Sequence, residues 1–154
     1  MERFEIGKGE SSHIAFVRIF KGTDLIPAIK KAFLESGFLT AQISGVIGSM
    51  ESVNYTFIGE GGKYRSPIVK KGFFELLCAS GFISVASGDV EFHIHAVFAD
   101  KNGAVFGGHL LENGNIIFAT CELTLTEIKG VAIRKEFDEE SGFNLFKLKG
   151  FYKE

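Results

Sequence analysis

Three of the four histidines fall in one short stretch, Phe92-His93-Ile94-His95 followed by Gly107-Gly108-His109. Imidazoles that converge hold divalent metals, so this spacing is the first chemistry to weigh. On a strand, side chains at i and i+2 leave the same face, and His93 and His95 can therefore offer two nitrogens to a common point. Asp100-Lys101-Asn102-Gly103 supplies turn residues after that strand, and Ala104-Val105-Phe106 runs back beside it. With a three-residue loop, Lys101-Asn102-Gly103, and Gly103 left-handed, His109 lies opposite His95 on the same face. A two-residue loop shifts the register and breaks the arrangement, unless Gly107-Gly108 absorbs the slip as a bulge. Those glycines would also let the backbone pass close to an ion. Three neutral histidines favour zinc and leave one tetrahedral position for water or a substrate oxygen. The competing reading has His93 and His95 hydrogen-bonded at an ordinary sheet surface and His109 in an unrelated turn.

The elements that must position these side chains are mostly strands. His13 to Phe20 reads as a strand covered on both sides, with Ile14, Phe16 and Phe20 on one face and Ala15, Val17 and Ile19 on the other. Thr23 is the expected cap of a helix through Phe33 or Ser36, with Leu25, Ile29 and Phe33 inward, Pro27 in the first turn and Gly37 as the left-handed stop. Further strands are expected at Leu39 to Val46, Ser52 to Ile58, Phe73 to Cys78, Ser84 to Ala86, Val90 to Ala99 and Ile116 to Ile128. Phe143 to Leu148 alternates as one more strand, and Lys149 to Glu154 is expected to extend the edge or fray. Ser44-Gly45-Val46-Ile47-Gly48-Ser49 lacks the lysine and following helix of a phosphate loop and reads as a turn between strands. The predicted fold is α+β: a largely antiparallel, strongly bent sheet with one main helix packed on it, in a single domain spanning 1–154.

Other polar residues compete for a role. Arg18 shares the Phe16 and Phe20 face, where a structural ion pair is favoured over anion binding. Glu75, between Phe73 and Leu77 on one face, and Glu122, beside Thr120 and Thr124, are the carboxylates that could move a proton next to a metal. They read equally as partners that orient an imidazole or as interfacial ion pairs. Glu60 to Arg65 reads as an exposed hairpin tip from which Tyr64 and Arg65 could reach over a neighbouring site. The mixed charges of Arg134 to Glu140 read as a solvated turn.

Composition excludes several classes. The 154 residues carry a net charge of −2, which gives no basic field toward a phosphate backbone. Hydrophobic residues make up 45%, with 17 Phe and no Trp, apolar enough to expect a surface that meets another subunit. Cys78 and Cys121 both sit in apolar strand patterns, as expected of buried thiols in a reducing cytoplasm. The charged start at Met1-Glu2-Arg3-Phe4 does not read as a signal peptide, and no run approaches a membrane span.

Four segments in order, Gly72-Phe73-Phe74-Glu75-Leu76-Leu77, Phe92-His93-Ile94-His95-Ala96, Asp100 through Gly107-Gly108-His109-Leu110, and Thr120-Cys121-Glu122-Leu123, resemble the plant and prokaryote conserved (PPC) domain. Arg18, the helix of Asp24 to Phe33 and Gly45-Val46-Ile47-Gly48-Ser49 fit the same pattern, so the likeness spans Phe16 to Thr126. The resemblance implies a compact α+β domain, a homotrimer and a histidine metal site. In plant members the domain follows an AT-hook whose Arg-Gly-Arg core enters the minor groove, and this chain contains no Arg-Gly-Arg. The plant Gly-Arg-Phe-Glu-Ile-Leu segment, tied to partner contacts, has Phe73 in place of Arg and Leu76 in place of Ile. The leading expectation is a cytoplasmic homotrimer binding zinc, or a similar divalent ion, through His93, His95 and His109, with enzymatic activity left open. A DNA-associated regulatory module is the alternative, and a sensor capturing a small anionic ligand, assisted by Arg18, is a third reading.

Overall fold

A computed structural model describes residues 13–86 and 88–150. The end of the expected edge extension, residues 151–154, lies outside the described residues. The element order is β1 (Ile14–Phe20), α1 (Leu25–Ser36), β2 (Thr40–Thr56), a 3-10 turn at Glu60–Gly62, β3 (Ile68–Ala86), β4 (Asp89–Asp100), β5 (Val105–Leu110), β6 (Ile116–Glu127), β7 (Ala132–Asp138) and β8 (Phe143–Gly150). Strands β1-β6-β2-β3-β4-β5 form one sheet in that order, and every pairing is antiparallel. At its far end β5 pairs back with β2, through Tyr55 with Leu110 and Thr56 with His109, so the sheet curls onto itself. This is the bent α+β arrangement that the sequence predicts.

Long, bulged strands produce the curl. The segments expected as separate strands merge into β2, 17 residues, and β3, 19 residues. The stretch expected as a turn, Ser44 to Ser49, stays inside β2. Register shifts between Ile43 and Val46, with Gly45 at φ +61°, bend the strand without ending it. A further bulge between Leu76 and Cys78 on β3 accompanies the exposure of both Leu77 and Cys78. Cys78 is thus not the buried thiol that its apolar neighbours predict, whereas Cys121 is buried and its thiol is pushed up to about 12 by burial.

Helix α1 closes the core from one side. Leu25, Ile26, Ile29 and Phe33 are fully buried, and Gly37, left-handed at φ +75°, ends the helix as expected. The N-terminal cap position belongs to Asp24 rather than Thr23. The Asp24 carboxylate accepts from Gly114 N at 2.6 Å and Asn115 N at 3.2 Å, tying the helix start to the β5–β6 loop. Ile43, Ile83, Ile94, Phe98, Leu110 and Ile117 fill the interior beneath it. Among the described residues, no helix is long and apolar enough to cross a membrane.

The charge run expected as a solvated turn instead forms β7, which pairs with β8 as a separate hairpin. Buried hydroxyls fasten it to the main sheet: Thr40 Oγ1 donates to Val131 O at 2.9 Å and Ser84 Oγ to Ile133 O at 3.1 Å. Glu91 on β4 accepts from Lys135 N at 2.6 Å. The hairpin is thereby held against β3, and Glu91 ties it to β4, the strand that carries two of the histidines.

Gly107 lets β5 lie close against β4: a Cβ there would meet Ala96 O at 2.1 Å. Gly107→Ala is therefore expected to push the two strands apart and cost about 1–3 kcal/mol. Equilibrium urea unfolding reads this, and an unchanged midpoint would show that the pair has slack.

Candidate metal centre

The β4–β5 loop fixes the site. Asp100 Oδ1 accepts from Asn102 N at 2.8 Å and Ala104 N at 3.0 Å, and Gly103 N donates to Asp100 O at 2.9 Å. Gly103 is left-handed at φ +79°. The loop is thus the three-residue form, and the register runs without a slip from Ala99 opposite Val105 to His95 opposite His109. Gly107 and Gly108 are spent on close strand approach, with no bulge between β4 and β5.

The three imidazoles converge. Ring centroids are 4.9 Å apart for His93 and His95, 5.0 Å for His93 and His109, and 5.3 Å for His95 and His109. One ligand atom from each lies within 4.8 Å of the others. The Nε2 atoms of His93 and His95 are 3.1 Å apart. Bonds of about 2.05 Å at tetrahedral angles place neighbouring nitrogens about 3.3 Å apart, so this spacing matches two corners of a zinc-type site. His95 is exposed while His93 and His109 are half-buried, which leaves the cluster open on the His95 side.

Electrostatics keep two of the donors, His93 and His109, in the ligating form. His109 is lowered from the usual imidazole value to about 4, first by burial and then by His93, His95 and Lys135. His93 is also lowered, by burial, then His95, then Lys135. Neutral rings with free lone pairs are what a metal requires. Among the described residues, no carboxylate or thiol joins the three histidines.

Three further side chains surround the cluster. Tyr64, placed by an Ile58–Tyr64 bridge after the 3-10 turn, stacks on His109 at 5.3 Å with its hydroxyl 3.4 Å from Nδ1. The reach foreseen for Tyr64 is real, and Phe143 of β8 holds its ring edge-on at 4.9 Å. Arg65 turns instead to Phe57. Phe146 of β8 lies 6.4 Å from His93. The Lys135 ammonium sits between the rings of Phe92 and Phe146, at 5.3 and 5.5 Å, and burial lowers its proton affinity. Lys135 and Phe146 were missed because the charges of Arg134 to Glu140 read as solvent-facing. The alternation at Phe143 to Leu148, with Ser141-Gly142 before it, was the signal that a partner strand had to precede.

The other candidate residues lie elsewhere. Glu75 pairs across to Ala99, four residues along β4 from His95 and so about 13 Å away. Glu75 and Glu122 share a shallow depression with Ile47, Leu77 and Thr120. Arg18 pairs with Glu122 at 3.5 Å, opposite it in register, which is the structural ion pair that sequence favours. None of the three belongs to the histidine cluster.

A curled antiparallel sheet with one covering helix and an open three-histidine corner defines a small class of domains. The chain belongs to the Plants and Prokaryotes Conserved (PCC) domain family, whose model matches residues 6–129. A metal-containing protein from Archaeoglobus fulgidus is 28% identical, with TM-score 0.82 over 94% of this chain and 99% of that one. A PPC protein from Pyrococcus horikoshii is 29% identical, with TM-score 0.77 over 94% and 97%. A Bacteroides thetaiotaomicron protein described as a candidate DNA-binding protein shares the fold at 20% identity, TM-score 0.76, over 92% and 98%. No curated protein matches the chain.

An unfolded histidine titrates near 6.5, so between that pH and about 4 the unfolded metal-free chain takes up a proton that folded His109 refuses. Stability of the metal-free protein is therefore full above pH 6.5, falls with pH through this window and loses the whole contribution below about 4. Melting temperatures at pH 7.5 and 5 should drop more for wild type than for His109→Gln. Equal drops would place the buried imidazole's cost elsewhere.

Proposed function

We propose that this protein is a divalent-metal-binding PCC-domain protein that holds zinc, or a similar ion, through His93, His95 and His109. The observation that carries the reading is the convergence of three imidazoles with Nε2 of His93 and His95 only 3.1 Å apart. Neutral nitrogens that close leave two lone pairs facing each other unless a proton or a cation lies between. An all-nitrogen trio favours zinc over magnesium or calcium, which prefer oxygen donors. The metal-containing Archaeoglobus relative supports the same reading. When bound, such an ion supplies a Lewis-acidic open position that accepts an oxygen ligand. The chain's own part is to keep His93 and His109 neutral, fix His109 through the β4–β5 register, and pack Tyr64 against it.

The working form in this reading is a homotrimer in the cytoplasm. Support comes from large apolar side chains exposed on one face, Phe16 and Phe20 on β1, Ile47 on β2, Phe73 and Leu77 on β3, with Thr120 and Glu122 of β6 between the first pair and Ile47. Five large apolar side chains on one face are more than an isolated small domain leaves to water. Glu75, Glu122 and Arg18 lie within that face, where they serve as interfacial polar pairs. A DNA-associated role has two fold neighbours at 20% identity behind it, against a net charge of −2.

Elemental analysis of the purified protein should give one divalent ion per chain, and the His93→Ala, His95→Ala, His109→Ala triple variant none. Equal metal in both would end the metal reading. Light scattering should return three times the chain mass, reduced by Phe16→Glu. A monomeric wild type would remove the trimer.

A further inference from the structure

The hairpin β7–β8 begins beyond residue 129, where the family match ends, yet it is fastened over the histidine corner. It brings three side chains to the His93 and His109 side of the cluster: Lys135, Phe143 and Phe146. Lys135 is the lysine whose charge acts on both His93 and His109. Among the described residues, no carboxylate lies within ion-pair distance of its ammonium; Glu91, the nearest candidate, is engaged with the Lys135 backbone N–H.

A divalent ion on three neutral imidazoles keeps its full charge, because no ligand carries a negative one. A half-buried ammonium on the neighbouring hairpin adds positive charge that Glu91 and Glu112 offset only from beyond ion-pair distance. An anion at the open metal position resolves both demands at once. We infer that the hairpin makes this corner a binding site for a small carboxylate, with one oxygen directed to the metal position and the Lys135 ammonium as counter-charge. The inference rests on the metal reading above and adds the ligand class to it.

The chemistry favours a carboxylate over a phosphate. A phosphate dianion is ordinarily met by several donors, from arginine forks, a helix N-terminus or a run of backbone N–H groups. Here one ammonium stands between the rings of Phe92 and Phe146, while Tyr64, with Phe143 behind it, lies against His109. Those rings suit an apolar remainder on a singly charged acid, so benzoate should bind more tightly than acetate.

The test uses the full chain loaded with cobalt(II), its metal content fixed by elemental analysis, with benzoate, acetate and inorganic phosphate titrated against the visible cobalt bands. Wild type should show a saturable band shift with benzoate. Lys135→Met should weaken it about tenfold or more at unchanged cobalt content, and Lys135→Arg should keep most of the affinity. Benzoate binding to Lys135→Met as tight as to wild type would overturn the inference, as would phosphate outcompeting benzoate. A cobalt-loaded centre that ignores benzoate overturns this inference alone. Failure to load cobalt overturns the metal reading and this one with it.

Discussion

One hairpin register governs the candidate site. The three-residue turn at Lys101-Asn102-Gly103, pinned by the Asp100 carboxylate and by left-handed Gly103, sets His109 opposite His95. A slip of one residue would send His109 to the other face of β5, into the space that Leu110 fills in the core. The same register brings Thr56 of β2 alongside His109 and so joins β5 back to β2. Closure of the sheet and assembly of the three rings are therefore one event, and what disturbs the turn disturbs both.

The surroundings of the rings are built by elements distant in sequence. Tyr64 comes from the turn after β2, while Phe143 clamps Tyr64 and Phe146 approaches His93 from β8. Thr40 and Ser84, both buried, hold that hairpin through its backbone carbonyls. The polar contacts beneath the hairpin thus act on the site without touching it. With Lys135 acting on His93 and His109 and no carboxylate joining the three rings, the corner is unlike the carboxylate-rich sites that bind hard cations.

Local rules were enough for the features that local chemistry decides. Gly37 ends the helix, Leu25, Ile29 and Phe33 face inward, and the Asp-Lys-Asn-Gly turn places the histidines. Tertiary context decided the rest. Gly45 and Gly48 punctuate β2 like a turn, yet bulges keep the strand paired on both sides, so two expected strands are one. Asp24 takes the cap position in place of Thr23, and its carboxylate bonds not the helix but two backbone N–H groups of the β5–β6 loop, a contact no local window contains. Lys135 was hidden within a mixed-charge run, and only the docking of β7 against β3, with Glu91 of β4 accepting from its backbone N–H, turns the lysine inward. Glu75 and Glu122 were plausible beside a metal by residue type alone, and strand pairing separates them from it.

The most direct test of the central claim is X-ray absorption at the metal edge of the purified protein. Three imidazole nitrogens and one light oxygen or nitrogen neighbour at about 2.0–2.1 Å are predicted. A shell containing sulfur, or six oxygen neighbours with no imidazole signature, would contradict a centre built from His93, His95 and His109.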